Sequence, residues 1–214
     1  MKDTGFHLMK GWGRTLFPLL VLLPFFASCS EEDNTVEEYP DWQNRNEQYF
    51  ERQYLAHNAT DIIPKWSTTS EGVLAHTDCI LVDRIEESNE TSSPYYNDTV
   101  CIHYAGRLIP STSYADGYQF DKSFPGTTLD REVDKTCVLY NSTTQKYYIP
   151  QASSFIRGFT TALLHMHRGD HWRVTIPYQL GYGTSASGSI PAYSTLIFDI
   201  WLEDFWTNKR GDRY

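Results

Sequence analysis

The stretch "SSFIRGFTTALLHMHRGD", residues 153–170, is a helical pattern standing alone among β-type sequence, and that isolation is the strongest constraint on the fold. Phe155, Ile156, Phe159, Leu163 and Met166 recur at helical spacing, Ser153 or Ser154 is placed to cap the start, and Gly169 supplies a stop. Around it run short β-rich segments bounded by turn residues: 73–86, 99–108, 118–122, 136–149 with a polar turn at 141–144, 171–177 and 194–205. Residues 89–94 and 110–116 read as connecting loops. A lone amphipathic helix has to bury its apolar stripe on the sheet those strands make. The expected class is α+β, an antiparallel sheet packed on one short helix.

The first residues follow the three-part layout of an export signal: Lys2, Lys10 and Arg14, an apolar run over 16–26, then Ala27-Ser28-Cys29. That run is shorter than the about 20 apolar residues that span a bilayer. Phe26-Ala27-Ser28-Cys29 resembles a bacterial lipobox, in which the cysteine is lipidated and becomes the first residue after cleavage. Residues 1–28 are therefore expected to be a lipoprotein signal peptide, and Cys29 the lipid attachment point that holds the protein at a membrane. Ser30 resembles the following residue of lipoproteins passed to the outer membrane, and Glu31-Glu32-Asp33 resembles surface-export signals. The expected location is the bacterial cell envelope, lipid-anchored at the outer membrane on its periplasmic or surface face.

Losing residues 1–28 removes three basic and one acidic side chain and takes the net charge from −9 to −11. So acidic a chain is repelled by nucleic acid and by anionic headgroups, which argues against either as a partner and leaves the lipid as the expected membrane contact. With Cys29 modified, Cys79, Cys101 and Cys137 remain, an odd number that permits at most one bridge in an oxidising compartment. Cys101 alternates with His103 on its strand and reads as a buried free thiol.

Residues 30–38 are acidic and nearly free of large apolar side chains, as in a solvated tether. Pro40-Asp41 then offers a helix start with Asp41 as N-cap, and 42–56 contains neither Gly nor Pro. Trp42, Tyr49, Phe50, Tyr54 and Leu55 form an aromatic patch with two readings, packing on its own domain or a dimerisation surface. The organisation expected is signal peptide 1–28, tether and helix 29–71, β-rich domain 72–207 and tail 208–214.

Five segments, in order and at compatible spacing over about 72–205, resemble the FKBP-type peptidyl-prolyl isomerases. Val100-Cys101-Ile102-His103-Tyr104-Ala105-Gly106-Arg107-Leu108 resembles the family strand "VxVHYxGxL", and Gly117-Tyr118-Gln119-Phe120-Asp121-Lys122-Ser123 resembles "DGxxFDSS". Phe155-Ile156-Arg157-Gly158-Phe159 resembles "VIxGW", Gly169-Asp170 and Val174-Thr175-Ile176-Pro177 fit the next strand, and Gly181-Tyr182-Gly183 through Ile190-Pro191 to Phe198-Asp199 resembles the closing "AYGxxGxxIPPxxTLxFDVEL".

The resemblance implies a twisted antiparallel sheet wrapped around one short helix, with a ligand pocket between the helix and the concave face. Its lining would be Tyr104, Phe120, Asp121, Phe155, Ile156, Phe159, Tyr182, Ile190 and Phe198. The proline ring of a substrate would sit over Phe159, the Ile156 N–H and the Tyr182 hydroxyl would hold substrate carbonyls, and Asp121 would set the polarity near the twisting bond. The reaction breaks no covalent bond, so no cofactor is called for, and the implied partners are unfolded or extended proline-containing polypeptides. Phe159 stands where the family usually has Trp, keeping an aromatic floor with less area and no indole N–H. Residues 124–148 form a longer insertion with an extra hairpin, in which Tyr148 or Tyr147 matches the family's first wall aromatic. The alternative is a binding or chaperone module of the same fold that holds a partner with little isomerase activity.

Other constellations carry less. His165 and His167, two apart, point to different sides of a helix, which is not ligand spacing, so His165, His167 and His171 do not predict a metal site. Gly181-Tyr182-Gly183 with Gly188 lacks the Lys-Ser/Thr ending of a nucleotide loop and precedes a strand. No nucleophile-elbow motif is present.

Overall fold

The computed structural model describes residues 37–67, 74–131, 134, 137, 139–141 and 146–207, the backbone alone at 139–141 and 146–148. The signal segment, Cys29, the tether as far as residue 36, the 71/72 boundary and the 208–214 tail lie outside these residues. Among the described residues no helix is long and apolar enough to cross a membrane.

Six antiparallel strands form one sheet: β1 (Ile62–Pro64), β2 (Cys79–Glu86), β3 (Thr99–Leu108), β4 (Gln119–Lys122), β7 (His171–Ile176) and β8 (Leu196–Trp206), in the order β1-β2-β7-β8-β3-β4. A separate hairpin pairs β5 (Leu139–Asn141) with β6 (Lys146–Tyr148). The expected α+β architecture is present, with two refinements. The strand expected from residue 73 starts only at Cys79, after a 3-10 turn at His76–Asp78. Edge strand β1, only three residues long and ending in Pro64, is too short to produce a readable alternation.

Helix α2 (Arg157–Leu163) packs on the inner face, and Gly158, Phe159, Ala162 and Leu163 are all buried. Phe159 and Leu163 each contribute about 1.5–3 kcal/mol by their burial. A Cβ at Gly158 would lie 2.3 Å from Ile176 Cγ2, so only glycine lets the helix come this close to β7. The helix is shorter than its periodicity predicts. Phe155 and Ile156 are extended, Ile156 occupies the cap position, and neither Ser153 nor Ser154 caps α2. Ser154 closes a preceding 3-10 turn, accepting the Gln151 N–H at 3.3 Å. Gly169, with φ of 93°, serves the turn into β7 and not the helix end at Leu163.

The outer face is also covered. Helix α1 (Trp42–Ala56) buries Trp42, Asn46 and Phe50, the last against Cys79 and Leu81, so it packs on its own domain, while Leu55 of the same patch stays 73 % exposed. Asp41 holds the expected N-cap position, its carbonyl accepting the Arg45 N–H at 3.0 Å, but its side chain makes no cap bond: the residue is left-handed, with φ of 49°, and its carboxylate accepts from Asn44 Nδ2 at 2.7 Å. Beyond β4, the described part of the insertion is fastened to the same face. Phe124 meets Trp201 edge-on at 6.1 Å, and Arg131 pairs with Glu203 at 2.8 Å and Glu86 at 3.5 Å. Cys137 is disulfide-bonded to Cys101 with their Cα atoms 4.7 Å apart. This corrects the free-thiol reading of Cys101: the alternation does put its side chain on the outer face, but a partner 36 residues on arrives there with the insertion. Among the described residues Cys79 is the free, buried thiol, pushed up to about 12 by burial first and the Asp78 charge second.

Candidate active site

Register brings the site together. Tyr104 and Gly106 on β3 lie opposite Ile200 and Phe198 on β8, and Gly106 also lies opposite Asp121 on β4. Phe198 and Phe120 consequently converge over Gly106, and a Cβ there would stand 2.5 Å from the Phe198 ring and 2.7 Å from the Phe120 ring. The missing side chain is what admits both rings. Sequence reasoning passed over Gly106, although an interior strand glycine is a signal of close approach.

Five aromatic rings make one cluster. Phe159, 2 % exposed, meets Phe198 edge-on at 5.1 Å and Tyr104 edge-on at 5.8 Å, and Phe120 meets Phe198 at 5.5 Å. Such edge-to-face pairs each add about 0.5–1.5 kcal/mol beyond area burial. Phe155 stacks on Phe159 at 4.6 Å with an interplanar angle of 26°. The smaller ring at Phe159 thus regains aromatic area from its neighbour, and the half-buried Phe155 forms part of the accessible surface.

A polar edge borders the cluster. Tyr104 donates its hydroxyl to Asp121 Oδ2 at 2.8 Å, and the Lys122 N–H donates to Asp121 Oδ1 at 2.8 Å, which satisfies the carboxylate on both oxygens. Ser123, which sequence reasoning missed, ties β4 to β3: its hydroxyl accepts the Tyr104 N–H at 2.9 Å, and its own N–H donates to the Tyr104 carbonyl at 2.9 Å. Tyr182, 43 % exposed, follows a 3-10 turn at Tyr178–Leu180 and stands within electrostatic reach of Asp121. Burial, then the negative charge of Asp121, raises its phenol above the ordinary 10.0, so it is a neutral hydrogen-bond donor at physiological pH. The loop closes through Gly183 N–H to the Tyr178 carbonyl at 2.8 Å and a bridge between Ser187 and Ile190, and Ile190 is buried in the main core.

Of the sequence-predicted residues, Tyr104, Phe120, Phe155, Phe159 and Phe198 form the cluster, with Asp121 and Tyr182 at its edges. Ile156 packs against the same core at the mouth of α2. The backbone of Tyr148 pairs with Leu139, while its side chain and that of Tyr147 lie outside the described residues. The three histidines have separate partners: His165 the Thr161 carbonyl, His167 the Asp170 carboxylate, and His171 the Trp201 ring, stacked at 4.1 Å.

Chemically, the arrangement offers an apolar aromatic surface bordered by a phenol donor and a satisfied carboxylate that feel each other's charge. It suits holding an apolar ring beside a carbonyl. None of the described side chains in it is paired as nucleophile and base.

Residues 90–203 match the family model of FKBP-type peptidyl-prolyl cis-trans isomerases. The chain belongs to that family. Among its relatives, the macrophage infectivity potentiator of Trypanosoma cruzi is 35 % identical over 133 residues, 62 % of this chain and 56 % of that one. The FKBP-type peptidyl-prolyl cis-trans isomerase FkpA of Escherichia coli is 30 % identical over 133 residues, 62 % of this chain and 40 % of its own. The chain thus spans about half the length of these curated relatives. The fold is shared with solved structures of a Pseudomonas syringae peptidyl-prolyl cis-trans isomerase and of Escherichia coli FkpA. The first has a TM-score of 0.50 at 21 % identity, covering 77 % of this chain and 96 % of that one. The second has a TM-score of 0.50 at 24 % identity, covering 78 % and 60 %. The five residues of the aromatic cluster all lie inside the matched range 90–203.

Proposed function

We propose that the chain is a peptidyl-prolyl cis-trans isomerase that accelerates X-Pro rotation in unfolded or extended clients. The observation that carries this reading is the five-ring cluster bordered by Tyr182 and the Tyr104–Asp121 pair. Rotation about the C–N bond faces a barrier of about 18–20 kcal/mol, because planarity gives the amide partial double-bond character. The twisted amide is less charge-separated than the planar one, so an apolar, water-poor surface favours it relative to the ground state. The proline ring would lie against Phe155, over the buried Phe159 that supports it, with Tyr104, Phe120 and Phe198 as walls and Ile190 closing the rim. The Ile156 N–H and the Tyr182 hydroxyl would orient the flanking carbonyls, and Asp121 would set the field at the twisting bond.

The described part of the insertion favours this reading over a binding or chaperone module, since its contacts are made on the outer face, away from the ring cluster. An isomerisation assay on an X-Pro peptide tests it: the wild-type chain should be active, and Tyr182→Phe and Asp121→Ala should lower kcat/KM in folded protein. Inactivity, or variants as fast as wild type, would remove the enzyme assignment in favour of the binding module.

Cys29 is the proposed lipid attachment site after removal of 1–28, with the chain held in the bacterial envelope at the outer membrane through that lipid. The lipobox-like Phe26-Ala27-Ser28-Cys29 and the acidic stretch after it support this. Cys29→Ala should move the protein from the membrane to the soluble fraction, and unchanged fractionation refutes the anchor.

A further inference from the structure

Helix α1 lies outside the family-matched residues 90–203, yet its buried polar side chains grip the loop that carries Tyr182 and Ile190. Asn46, fully buried, accepts the Thr195 N–H at 2.7 Å through Oδ1 and donates from Nδ2 to the Trp42 carbonyl at 2.7 Å. Trp42 donates its indole N–H to Ser194 Oγ at 2.9 Å, and Ser194 donates in turn to the Pro191 carbonyl at 2.7 Å. At the other end of the loop, the Tyr178 hydroxyl donates to Glu47 at 3.4 Å. The Tyr178 carbonyl is the group that receives the Gly183 N–H, and the rings of Tyr178 and Tyr193 meet edge-on at 5.2 Å. One helix thus holds the entry and the exit of the rim.

A second observation points the same way. Tyr193, next to the gripped Ser194, has φ of 62° and donates its N–H to the Gly183 carbonyl at 3.0 Å. A bulky side chain at positive φ is strained and persists only where the surroundings over-determine it. The bonds from Trp42 and Asn46 to the two residues that follow supply that constraint.

We propose that α1 is a positioning element of the active site: Trp42 and Asn46 fix the exit of the 181–195 loop and thereby set where Tyr182 and Ile190 stand over the aromatic cluster. The N-terminal helix is then a working part of the site as well as the end of a tether. Its consequence for catalysis rests on the isomerase reading above; its consequence for loop order does not.

The test uses the full chain with two variants. Asn46→Leu leaves the Thr195 N–H without its acceptor and the Trp42 carbonyl without its donor while keeping the branched outline of the side chain, and Trp42→Phe removes the indole N–H with part of the ring while keeping an aromatic face. Gln48→Ala, an exposed change on the same helix that bonds only to Asn44 among the hydrogen bonds described, is the control. Hydrogen exchange should quicken roughly tenfold at the Gly183, Ile190 and Tyr193 amides in both variants, the factor that one buried hydrogen bond contributes. The β3 and β8 amides should exchange as in wild type, and Gln48→Ala should change neither set. On an X-Pro peptide, kcat/KM should fall several-fold, chiefly through KM, because the rim contacts substrate. Rim amides at wild-type rates in both variants, or equal acceleration throughout the domain, would overturn the proposal. If the wild-type chain shows no isomerase activity, the functional reading fails, and the amide rates still decide the role of α1.

Discussion

Gly106→Ala tests the packing of the site against the backbone beneath it. The added Cβ would stand 2.5 Å from Phe198 Cε1 and 2.7 Å from Phe120 Cε2 and Cζ. Carbon atoms attract at about 3.5–4.0 Å, so both rings have to give way by roughly 1 Å. Phe198 has little freedom to do so, being 5 % exposed and held edge-on by Phe159 at 5.1 Å and Tyr104 at 6.2 Å. Overpacking of this kind costs about 1–3 kcal/mol. In a chain of this size each 1 kcal/mol lowers Tm by about 2–4 °C, so a fall of roughly 4–8 °C is expected for a mid-range cost. The displaced rings move into the substrate's space, so kcat/KM should fall at least about tenfold, the equivalent of about 1.4 kcal/mol in the transition state. Thermal melts followed by circular dichroism, together with the isomerisation assay, measure both. A variant that melts within a degree of wild type and keeps its rate would show that the rings do not rest on the strand at Gly106, and the account of the site's floor would be wrong.

Replacing Cys101 by Ser should destabilise the fold by up to about 4 kcal/mol on loop-closure entropy for a 36-residue separation, read as a lower urea midpoint that reductant reproduces in wild type; an unchanged midpoint contradicts it. His103 and His171 are held below the ordinary 6.5 by burial, against the opposing pull of Glu203 and Asp134 on the first and of Asp199 on the second. A depressed imidazole contributes stability that is complete above pH 6.5 and lost as pH falls through the folded value, so the urea midpoint should drop on acidification less steeply in His103→Gln than in wild type; identical slopes argue against it. Tyr182, raised above 10.0, contributes stability that is complete below that pH and lost as pH rises through the folded value. Asp121→Asn should bring its titration down toward 10.0 in tyrosine-selective NMR, and an unmoved titration would mean the two rims are not electrostatically coupled.

The strands and the single inner helix were legible because both are periodic: β3, β7 and β8 carry long β-type runs, and α2 is the one helical pattern among them. The start of α2 was not, since Phe155 and Ile156 satisfy helical spacing while their backbone is not helical, and an apolar residue is buried either way. The disulfide was closed to sequence reasoning, because three cysteines allow three pairings and no spacing chooses among them. The aromatic members of the site came from the motifs they sit in. Ser123 and Gly106 did not, because a hydroxyl that braces two strands and a glycine that admits two rings look in sequence like any polar or small residue.

The insertion and α1 share a physical cause. An antiparallel sheet with one face on α2 commonly leaves the other to water, but here that face carries Leu81, Ile197 and Trp201 beside the ion pairs of Asp199 with Arg107 and Arg173. Covering it takes two additions, each joined to a different border of the site. The insertion leaves the sheet just past β4, which carries Asp121, and is bonded back to β3, the strand of Tyr104, at Cys101. Helix α1 covers the other half and holds the loop of Tyr182 at Ser194 and Thr195. The two polar borders of the ring cluster are therefore each stiffened from behind the sheet. A loosening of either cover should reach the site at its own border: at Asp121 for the disulfide and at Tyr182 for the helix.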